Sequence, residues 1–366
     1  MPPPLFVVLR AIKAMHCPED PLLPFSVLYS FFVASYVAFD GPKLRQLAAE
    51  FLSRAEAQAA SIPLSVGHRI TGISLLSTGD IAQSRPHFDR ALALYDPAEH
   101  RRVGTRFGVD TKVAVLSFRA MALWLRGYPD AAIADAEQAV THAREIGDAA
   151  ALMYALDLAS VIRIWCGAYQ AAGLQLNELE SLAEEAGAAY WKTCAMVWQG
   201  GLLALTGRAA SAVEMLTTVL PAYRSTGSTN FLPLYVSYLA KAYAAHGEFA
   251  EAWRCIDEAI AAADNTAESW CVAEIRRTAA EIALLQPEPD AAKAEACLGR
   301  ALAIARAQEA RSWELRAAMS MVQLWRDQGK WQQAYDLLAP VYGRFTEGFD
   351  TLDLKEAKSL LDELMA

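Results

Sequence analysis

The feature that most constrains the fold of this chain is a residue triplet that recurs along its length. A small residue is followed by apolar residues at i+4 and i+7, and the first members of successive triplets are 48, 40, 40, 40, 42 and 40 residues apart. Self-similarity at such a period indicates a repeat architecture in which each unit packs on its neighbours. The triplets are Ser84/Phe88/Ala91, Ala132/Ala136/Ala139, Ala172/Leu176/Leu179, Ala212/Leu216/Val219, Ala252/Ile256/Ala259, Ala294/Leu298/Ala301 and Ala334/Leu338/Val341.

Turn-forming residues divide each repeat into two helices. Five residues before each triplet stands Gly79, Gly127, Gly167, Gly207, Gly247, Pro289 or Gly329. A second glycine follows 20 residues later at Gly147, Gly187 and Gly227, the usual place for a left-handed residue after a helix. The small positions predict that the second helix lies close against the first, and the larger apolar residue fills the groove between neighbouring pairs.

The pattern of a small residue five positions after a glycine turn, with apolar residues at plus four and plus seven, is similar to the second helix of the tetratricopeptide repeat. The unit is lengthened here from 34 to 40 residues. The last third, notably 294–306, 312–318, 324–329 and 338–350, resembles the end of large bacterial signalling proteins. In those proteins a class III adenylate or guanylate cyclase domain is followed by an AAA-type ATPase and then by such an array. The resemblance runs from about Pro24 onward and implies a regulatory helical array.

We therefore expect an all-α fold, a right-handed α-solenoid of about eight helix pairs. The expected divisions are an N-terminal extension at 1–20, a repeat domain at 21–350 and a capping helix at 351–366. Asp353 and Glu356 have the spacing of a reciprocal capping pair, which predicts a helix start there. The first pair is unusually apolar, which predicts a covering neighbour: residues 5–15, an upstream domain or a second copy. Its apolar side chains are Phe31, Phe32, Tyr36, Val37 and Phe39.

Composition and missing motifs argue against several classes of function. The formal net charge of -9 opposes extended contact with nucleic acid. The apolar run at 27–39 is shorter than the roughly 20 residues of a membrane span, so we expect no membrane insertion. The chain lacks a GxxxxGK[ST] loop, an HExxH motif, a GxSxG elbow and a cyclase segment. No cofactor and no enzyme activity are therefore expected, although a spatially assembled triad stays open.

The cysteines bear on metal binding and on the compartment. Cys17, Cys166, Cys194, Cys255, Cys271 and Cys297 lack any zinc-ligand spacing and stand among apolar helical residues. Buried reduced thiols behave as small apolar side chains. Their pattern therefore predicts no metal site and a cytoplasmic protein.

Two places are candidates for binding. The long first spacing places extra residues at 95–110, where His100, Arg101, Arg102 and Arg106 are able to receive an anion or an acidic partner. The alternative is an extended helix followed by a solvated turn. The second candidate is the concave groove, which the first helices of such arrays line. The residues expected to face it are Trp124, Tyr154, Asp157, Lys241, Arg316 and Gln323. For Trp124 a place in the core or in the groove wall is the favoured alternative to a binding role.

Three functions agree with these observations. The leading one is a protein-interaction and regulatory scaffold of a bacterial signalling system, which binds a protein or peptide through the groove or the 95–110 insertion. The second is a sensor of a small inducer molecule enclosed by the helix pairs. The third, implied by the resemblance, is the regulatory tail of a nucleotide cyclase whose catalytic domain lies in another segment.

The register of the repeat leads to a first prediction. Ala252→Trp would overpack the crossing between the two helices of its pair and destabilise the protein by at least about 1–3 kcal/mol. The melting temperature of the purified protein measures this loss. An unchanged value would contradict the register.

Overall fold

The structure, a computed structural model, describes residues 20–365 and is helical throughout. In this range it contains eighteen α-helices and no β-strand. The helices are α1 Leu23–Val37, α2 Gly41–Gln58, α3 Ser61–Ser77, α4 Ile81–Ala93, α5 Pro97–His100, α6 Thr111–Leu125, α7 Pro129–Ile146, α8 Ala149–Trp165, α9 Tyr169–Glu185, α10 Ala189–Leu205, α11 Ala209–Ser225, α12 Leu232–His246, α13 Phe249–Thr266, α14 Val272–Leu285, α15 Ala291–Ala307, α16 Arg311–Asp327, α17 Trp331–Tyr342 and α18 Leu352–Met365.

The helices form eight antiparallel pairs in a tetratricopeptide-like solenoid, as the repeat predicts. The pairs are α1/α2, α3/α4, α6/α7, α8/α9, α10/α11, α12/α13, α14/α15 and α16/α17, followed by the single helix α18. No side chain of the seven triplets is more than 4% exposed. The glycines at 147, 187 and 227 all have positive φ, which confirms the predicted left-handed ends.

The solenoid closes on itself along one line of contacts, which we call the seam. In each of the first four pairs, the end of the first helix contacts another segment of the chain. That segment stands at the start of the first helix of the unit five pairs further along. One turn of the superhelix therefore takes five pairs. The hydrogen bonds run from Thr229 N–H to the Val37 carbonyl (2.8 Å), Ser269 N–H to Ser77 (3.2 Å), the Ser312 hydroxyl to Trp124, and Leu352 N–H to Cys166 (3.4 Å).

Side chains reinforce the seam near its C-terminal end. Asp130 accepts a hydrogen bond from Gly348 N–H at 2.9 Å, and Glu347 accepts one from Ala131 N–H at 2.9 Å. Because these carboxylates bond to backbone donors, they fix the relative position of two segments more than 200 residues apart.

Four tryptophans fill the axis of the superhelix beside the seam. Trp124 and Trp165, at the ends of α6 and α8, meet Trp270 and Trp313, which stand at the starts of α14 and α16. The ring centroids of Trp124 lie 4.7 Å from those of both Trp165 and Trp313. None of the four is more than 2% exposed. We call this group the indole cluster. The interior also contains two pockets that have no lining residue in common.

The two ends of the array differ from parts of the expectation. On α1, Phe32, Tyr36 and Val37 face the interior of the superhelix, which accounts for its apolar character. The predicted packing on residues 5–15 lies outside the described residues. At the other end α18 begins at Leu352, and Asp353 does not cap it but accepts a hydrogen bond from Arg316 at 2.8 Å. The hydrogen bond with Arg316, 37 residues away in the sequence, thus replaces the capping interaction that the short-range pattern predicts.

The described helices also bear on the expectations about membrane insertion and about the cysteines. None of the helices within residues 20–365 has the combined length and apolar character that a membrane crossing needs. Four of the cysteines there are buried and Cys297 is partly buried, all as free thiols, while Cys17 lies outside the described residues.

The glycine turns supply a matched pair of variants that tests the seam. Gly167 and Gly207 occupy the same repeat position with φ of +79° and +77°. A Cβ at 167 would lie 2.4 Å from the Leu352 Cβ, whereas a Cβ at 207 would meet nothing within 4 Å. Both alanine variants carry the left-handed cost of about 1–2 kcal/mol. Gly167→Ala should destabilise by about 1–3 kcal/mol more, measured by urea unfolding. Equal losses would show that the seam does not form in solution.

Candidate functional site

The larger interior pocket lies on the N-terminal side of the indole cluster and is lined by aromatic side chains. Its volume is about 660 Å³, within the usual range for ligand sites. We call it the aromatic pocket. Its aromatic residues are Tyr29, Phe32, Tyr36, Phe118, Tyr154, Tyr190 and Trp191.

Helix α1 forms one wall of the aromatic pocket because its pocket residues share one helical face. Tyr29, Phe32, Val33 and Tyr36 follow the spacing i, i+3, i+4 and i+7, which places them on a single stripe. The remaining rings come from the first helices α6, α8 and α10. They contact one another in series with centroid distances of 5.9 Å for Tyr36–Phe118, 6.2 Å for Phe118–Tyr154, 5.9 Å for Tyr154–Trp191 and 4.9 Å for Tyr190–Trp191.

The 95–110 insertion forms a second wall. It contains the short helix α5 and a 3-10 turn at Arg101–Phe107. The buried guanidinium of Arg69 donates to the carbonyls of Phe107 and Val109 at 2.9 and 3.0 Å, which holds the insertion against α3. At the pocket mouth Arg106 donates to Asp20 at 2.8 Å, so its charge is already compensated.

Two carboxyl groups lie buried behind the aromatic rings. Asp157, one turn after Tyr154 on α8, is 8% exposed. Its Oδ1 has no hydrogen-bond partner among residues 20–365. Glu268 Oε1 accepts from Phe231 N–H at 2.8 Å and from Trp270 Nε1 at 3.0 Å, while its Oε2 has no partner within the same residues. Burial raises the pKa of Asp157 and of Glu268 to about 7.

The second interior pocket lies on the C-terminal side of the indole cluster and is lined by charged residues. This charged pocket has a volume of about 290 Å³. Lys241 contacts Glu281 at 2.5 Å, Arg277 contacts Glu274 at 2.7 Å, and Arg316 contacts Asp353 at 2.8 Å. Although burial opposes ionisation of Glu281, the charges of Arg277 and Lys241 lower its pKa to about 2. Each of the three cations thus has a carboxylate partner, while a fourth lining carboxyl group, Glu356, stands outside these pairs, and burial raises its pKa. A charged ligand would have to displace an internal ion pair.

The structure brings some of the predicted binding residues together and separates others. Tyr154 lines the aromatic pocket, whereas Lys241, Arg316 and Gln323 line the charged pocket. Asp157 is a lining residue of neither pocket and lies buried one turn after Tyr154 on α8. Trp124 occupies the core instead of facing the groove, since it is 2% exposed within the indole cluster and Arg316 stacks on its ring at 5.0 Å.

The predicted residues of the insertion also separate. Arg101 and Arg102 are exposed on the outer surface, and only Arg106 reaches the aromatic pocket. His100 is buried at 2% exposure against Tyr95, with a ring centroid distance of 4.9 Å. The binding role of all these residues remains a prediction.

Sequence reasoning missed several residues of the interior. Tyr190 and Trp191 carry no distinguishing signal, because aromatic residues also occur throughout the core. His68 and His87 stand on different helices and belong to no sequence motif, yet their Nδ1 atoms lie 3.0 Å apart. Burial lowers the pKa of both rings, so both are neutral at pH 7. In residues 20–365 no group of three metal-ligating side chains occurs, which leaves this contact as a histidine pair.

The buried carboxyl of Asp157 predicts how stability depends on pH. Because its folded pKa of about 7 lies above the ordinary value of 3.8, the folded chain binds the proton more tightly than the unfolded chain. Stability is therefore lost as pH rises from about 4 to about 7. Asp157→Asn should gain about 1–3 kcal/mol relative to wild type between pH 5 and pH 8 in urea unfolding.

A control variant shows whether this effect is specific. Asp336 is exposed on α17, so Asp336→Asn should follow the wild-type pH dependence. Parallel stability curves for Asp157→Asn and wild type would mean that Asp157 is ionised in the folded protein already at pH 5.

Comparisons with known proteins agree with this architecture. No protein-family model matches the chain. An uncharacterized protein, R02095 of Rhizobium meliloti strain 1021, is 26% identical over 280 residues, which cover 74% of this chain and 26% of that protein. The chain thus spans about a quarter of the length of that relative.

Solved structures support the fold. A Rap protein complexed with competence and sporulation factor has a TM-score of 0.66 at 14% identity, and the match covers 97% of this chain and 91% of that one. The Cut9 and Hcn1 hetero-tetramer of the APC/C gives 0.53 at 15% identity over 86% of this chain and 52% of that one. Aspartyl phosphate phosphatase F from Bacillus subtilis gives 0.52 at 10% identity over 96% and 90%. This chain is therefore similar in fold to proteins of the tetratricopeptide-repeat type.

Proposed function

We propose that this chain is a regulatory interaction module that binds a segment of a protein partner inside its superhelix. The observation that carries the proposal is the aromatic pocket, where five tyrosine and tryptophan rings are left only half-buried in a concave interior. Such rings are enriched among the residues that dominate binding energy in protein interfaces, because each buries a large area with few rotatable bonds.

The two pockets differ in how much a ligand gains by entering. In the aromatic pocket a partner removes apolar ring surface from water, which is favourable in proportion to the area buried. In the charged pocket a partner first has to separate ion pairs such as Lys241–Glu281. The aromatic pocket is therefore the primary contact, and the charged network serves to hold α12, α14, α16 and α18 in place.

The likeness in fold supports an interaction module without identifying its partner. One of the similar structures is a Rap protein complexed with competence and sporulation factor, which is a bound state of that protein alone. A function in bacterial signalling is part of our proposal for this chain.

A small-molecule sensor is the second candidate, because a volume of about 660 Å³ also suits a drug-sized ligand. A thermal-shift screen with metabolites separates the two. A small ligand at 100 times its dissociation constant would add about 2.7 kcal/mol of stability, whereas a module for protein segments would show no such increase.

The third hypothesis is that this chain is the regulatory tail of a nucleotide cyclase, whose catalytic domain would lie in another segment of a longer protein. The relative R02095 is much longer than the matched region, which is compatible with such an arrangement. Reading the coding sequence on either side of this chain tests it directly. A cyclase or ATPase domain in the same frame would support the hypothesis, and an unrelated frame would remove it.

Association of two copies through the first pair is a separate hypothesis. Val33, at 37% exposure, is one of the large apolar side chains on the surface of the described residues. Sedimentation of the wild type at increasing concentration tests association. A monomer at all concentrations would reject it.

A pocket-filling variant tests the proposed function. Val33 lines the aromatic pocket and is partly exposed, so Val33→Trp places an indole at its mouth without disturbing the core. Leu174→Trp is the matched control, because Leu174 is 67% exposed and does not line the pocket. Proteins captured from a lysate of the source cells by the immobilised wild type should be lost with Val33→Trp and kept with Leu174→Trp. The same proteins on all three would contradict binding in the pocket.

A further inference from the structure

The rings of the aromatic pocket present a surface that suits a positive charge. The π face of tyrosine and tryptophan carries negative electrostatic potential, and a cation placed over it within about 6 Å is attracted. Tyr36, Tyr154, Tyr190 and Trp191 bring four such rings to one end of the pocket. The pocket thus brings several aromatic rings close together around one space.

The carboxyl group behind these rings lacks a counter-ion. Its neighbours carry no positive charge: Tyr36 from α1, Tyr190, Cys194 and Trp198 from α10, Tyr235 from α12, and Tyr154 on its own helix. Burial raises the pKa of the tyrosines and of Cys194, so these groups stay uncharged at pH 8.

The cations near the pocket are already bound elsewhere. Arg106 is paired with Asp20 at the mouth. Arg69 lies over the Tyr29 ring at 5.0 Å and donates to two backbone carbonyls of the insertion. Asp157 is therefore a buried carboxyl group with an unpartnered oxygen beside a group of aromatic rings.

Resting on the proposed function, we infer that the aromatic pocket receives a basic side chain, lysine or arginine, from the partner segment, with Asp157 as its counter-ion. The stems of both side chains are apolar and pack along Phe32, Val33 and Phe118, while the charged end reaches the tyrosines.

Other occupants fit less well. An acidic side chain would be repelled by Asp157 and Glu268. A wholly apolar side chain would gain ring contacts but would isolate the Asp157 carboxyl further from water, which favours its neutral form and forgoes any ion pair. A basic side chain uses both the rings and the carboxylate.

A pair of probes that differ in one charge tests the inference on the full chain. The first is the peptide acetyl-Leu-Arg-Leu-amide, and the second replaces arginine by citrulline, which has nearly the same shape without the charge. We expect the arginine peptide to bind wild type at least tenfold more tightly at pH 8, measured by calorimetry. Equal affinities would overturn the inference while leaving the proposed function intact, because capture of protein partners does not depend on these probes.

The dependence on pH gives a second readout. With a carboxyl pKa of about 7, the ionised fraction of Asp157 rises from about one tenth at pH 6 to about nine tenths at pH 8. Affinity for the arginine peptide should therefore rise about tenfold over this range, and binding at pH 7 should release about half a proton per site. The proton release is obtained from wild type alone, by calorimetry in buffers of different ionisation enthalpy. Binding without proton release would contradict the role of Asp157.

Variants complete the test. Asp157→Asn should lose the pH dependence and bind the arginine peptide at least tenfold more weakly at pH 8, while Asp336→Asn should match wild type. Glu268→Gln separates the two buried acids, since it should keep most of the pH dependence. Acetyl-arginine-amide alone should bind much more weakly than the peptide. An affinity as high as that of the peptide would overturn the assignment to a protein side chain and favour a small cationic ligand.

Discussion

The contact between helix pairs that are five units apart determines most of what is specific to this molecule. An open array of helix pairs would present a long groove, with the inner faces of its first helices exposed. Here the Ser312 hydroxyl bonds to the Trp124 carbonyl and Arg316 bonds to the Trp165 carbonyl at 2.8 Å. These bonds set the pitch of the superhelix, and that pitch forces the four indole rings together on its axis. The groove becomes two pockets because the seam closes.

The two pockets differ in how the charges of their ionisable side chains are compensated. In the charged pocket Lys241, Arg277 and Arg316 each meet a carboxylate, so each of these cations is compensated within the protein. Behind the aromatic pocket Asp157 has no such partner, and burial raises its pKa to about 7, so about half of it stays protonated at pH 7. Every cation of the charged pocket is paired within the protein, whereas the buried carboxyl group behind the aromatic pocket has no counter-ion. This contrast is the physical basis for placing the binding site on the N-terminal side.

The repeat could be predicted from sequence because each triplet reports on contacts between helices that are neighbours in the chain. Tyr154 and Lys241 could be assigned to the interior for the same reason, since both stand on first helices. Trp124 stands on a first helix as well, yet it is buried, because its environment depends on Trp313 almost 190 residues later. No periodic pattern in the sequence predicts the contact between Trp124 and Trp313. The aromatic pocket could not be predicted either, because which part of the interior stays open depends on the pitch and on the indole cluster.

The seam also changes what kind of folding unit this chain is. Ordinary repeat arrays behave as one-dimensional chains in which stability adds up between neighbours and the ends open first. Here the first four pairs carry inner edges whose partners lie between residues 229 and 352, and Ser312 and Trp124 are 188 residues apart. A growing chain therefore emerges from the ribosome with those edges uncovered until residues 229–352 are made. Once the seam is closed, the terminal pairs are bonded to pairs in the middle of the chain. We therefore expect the whole array to unfold in one cooperative transition. Folding should be slow, with closure of the seam as a late step.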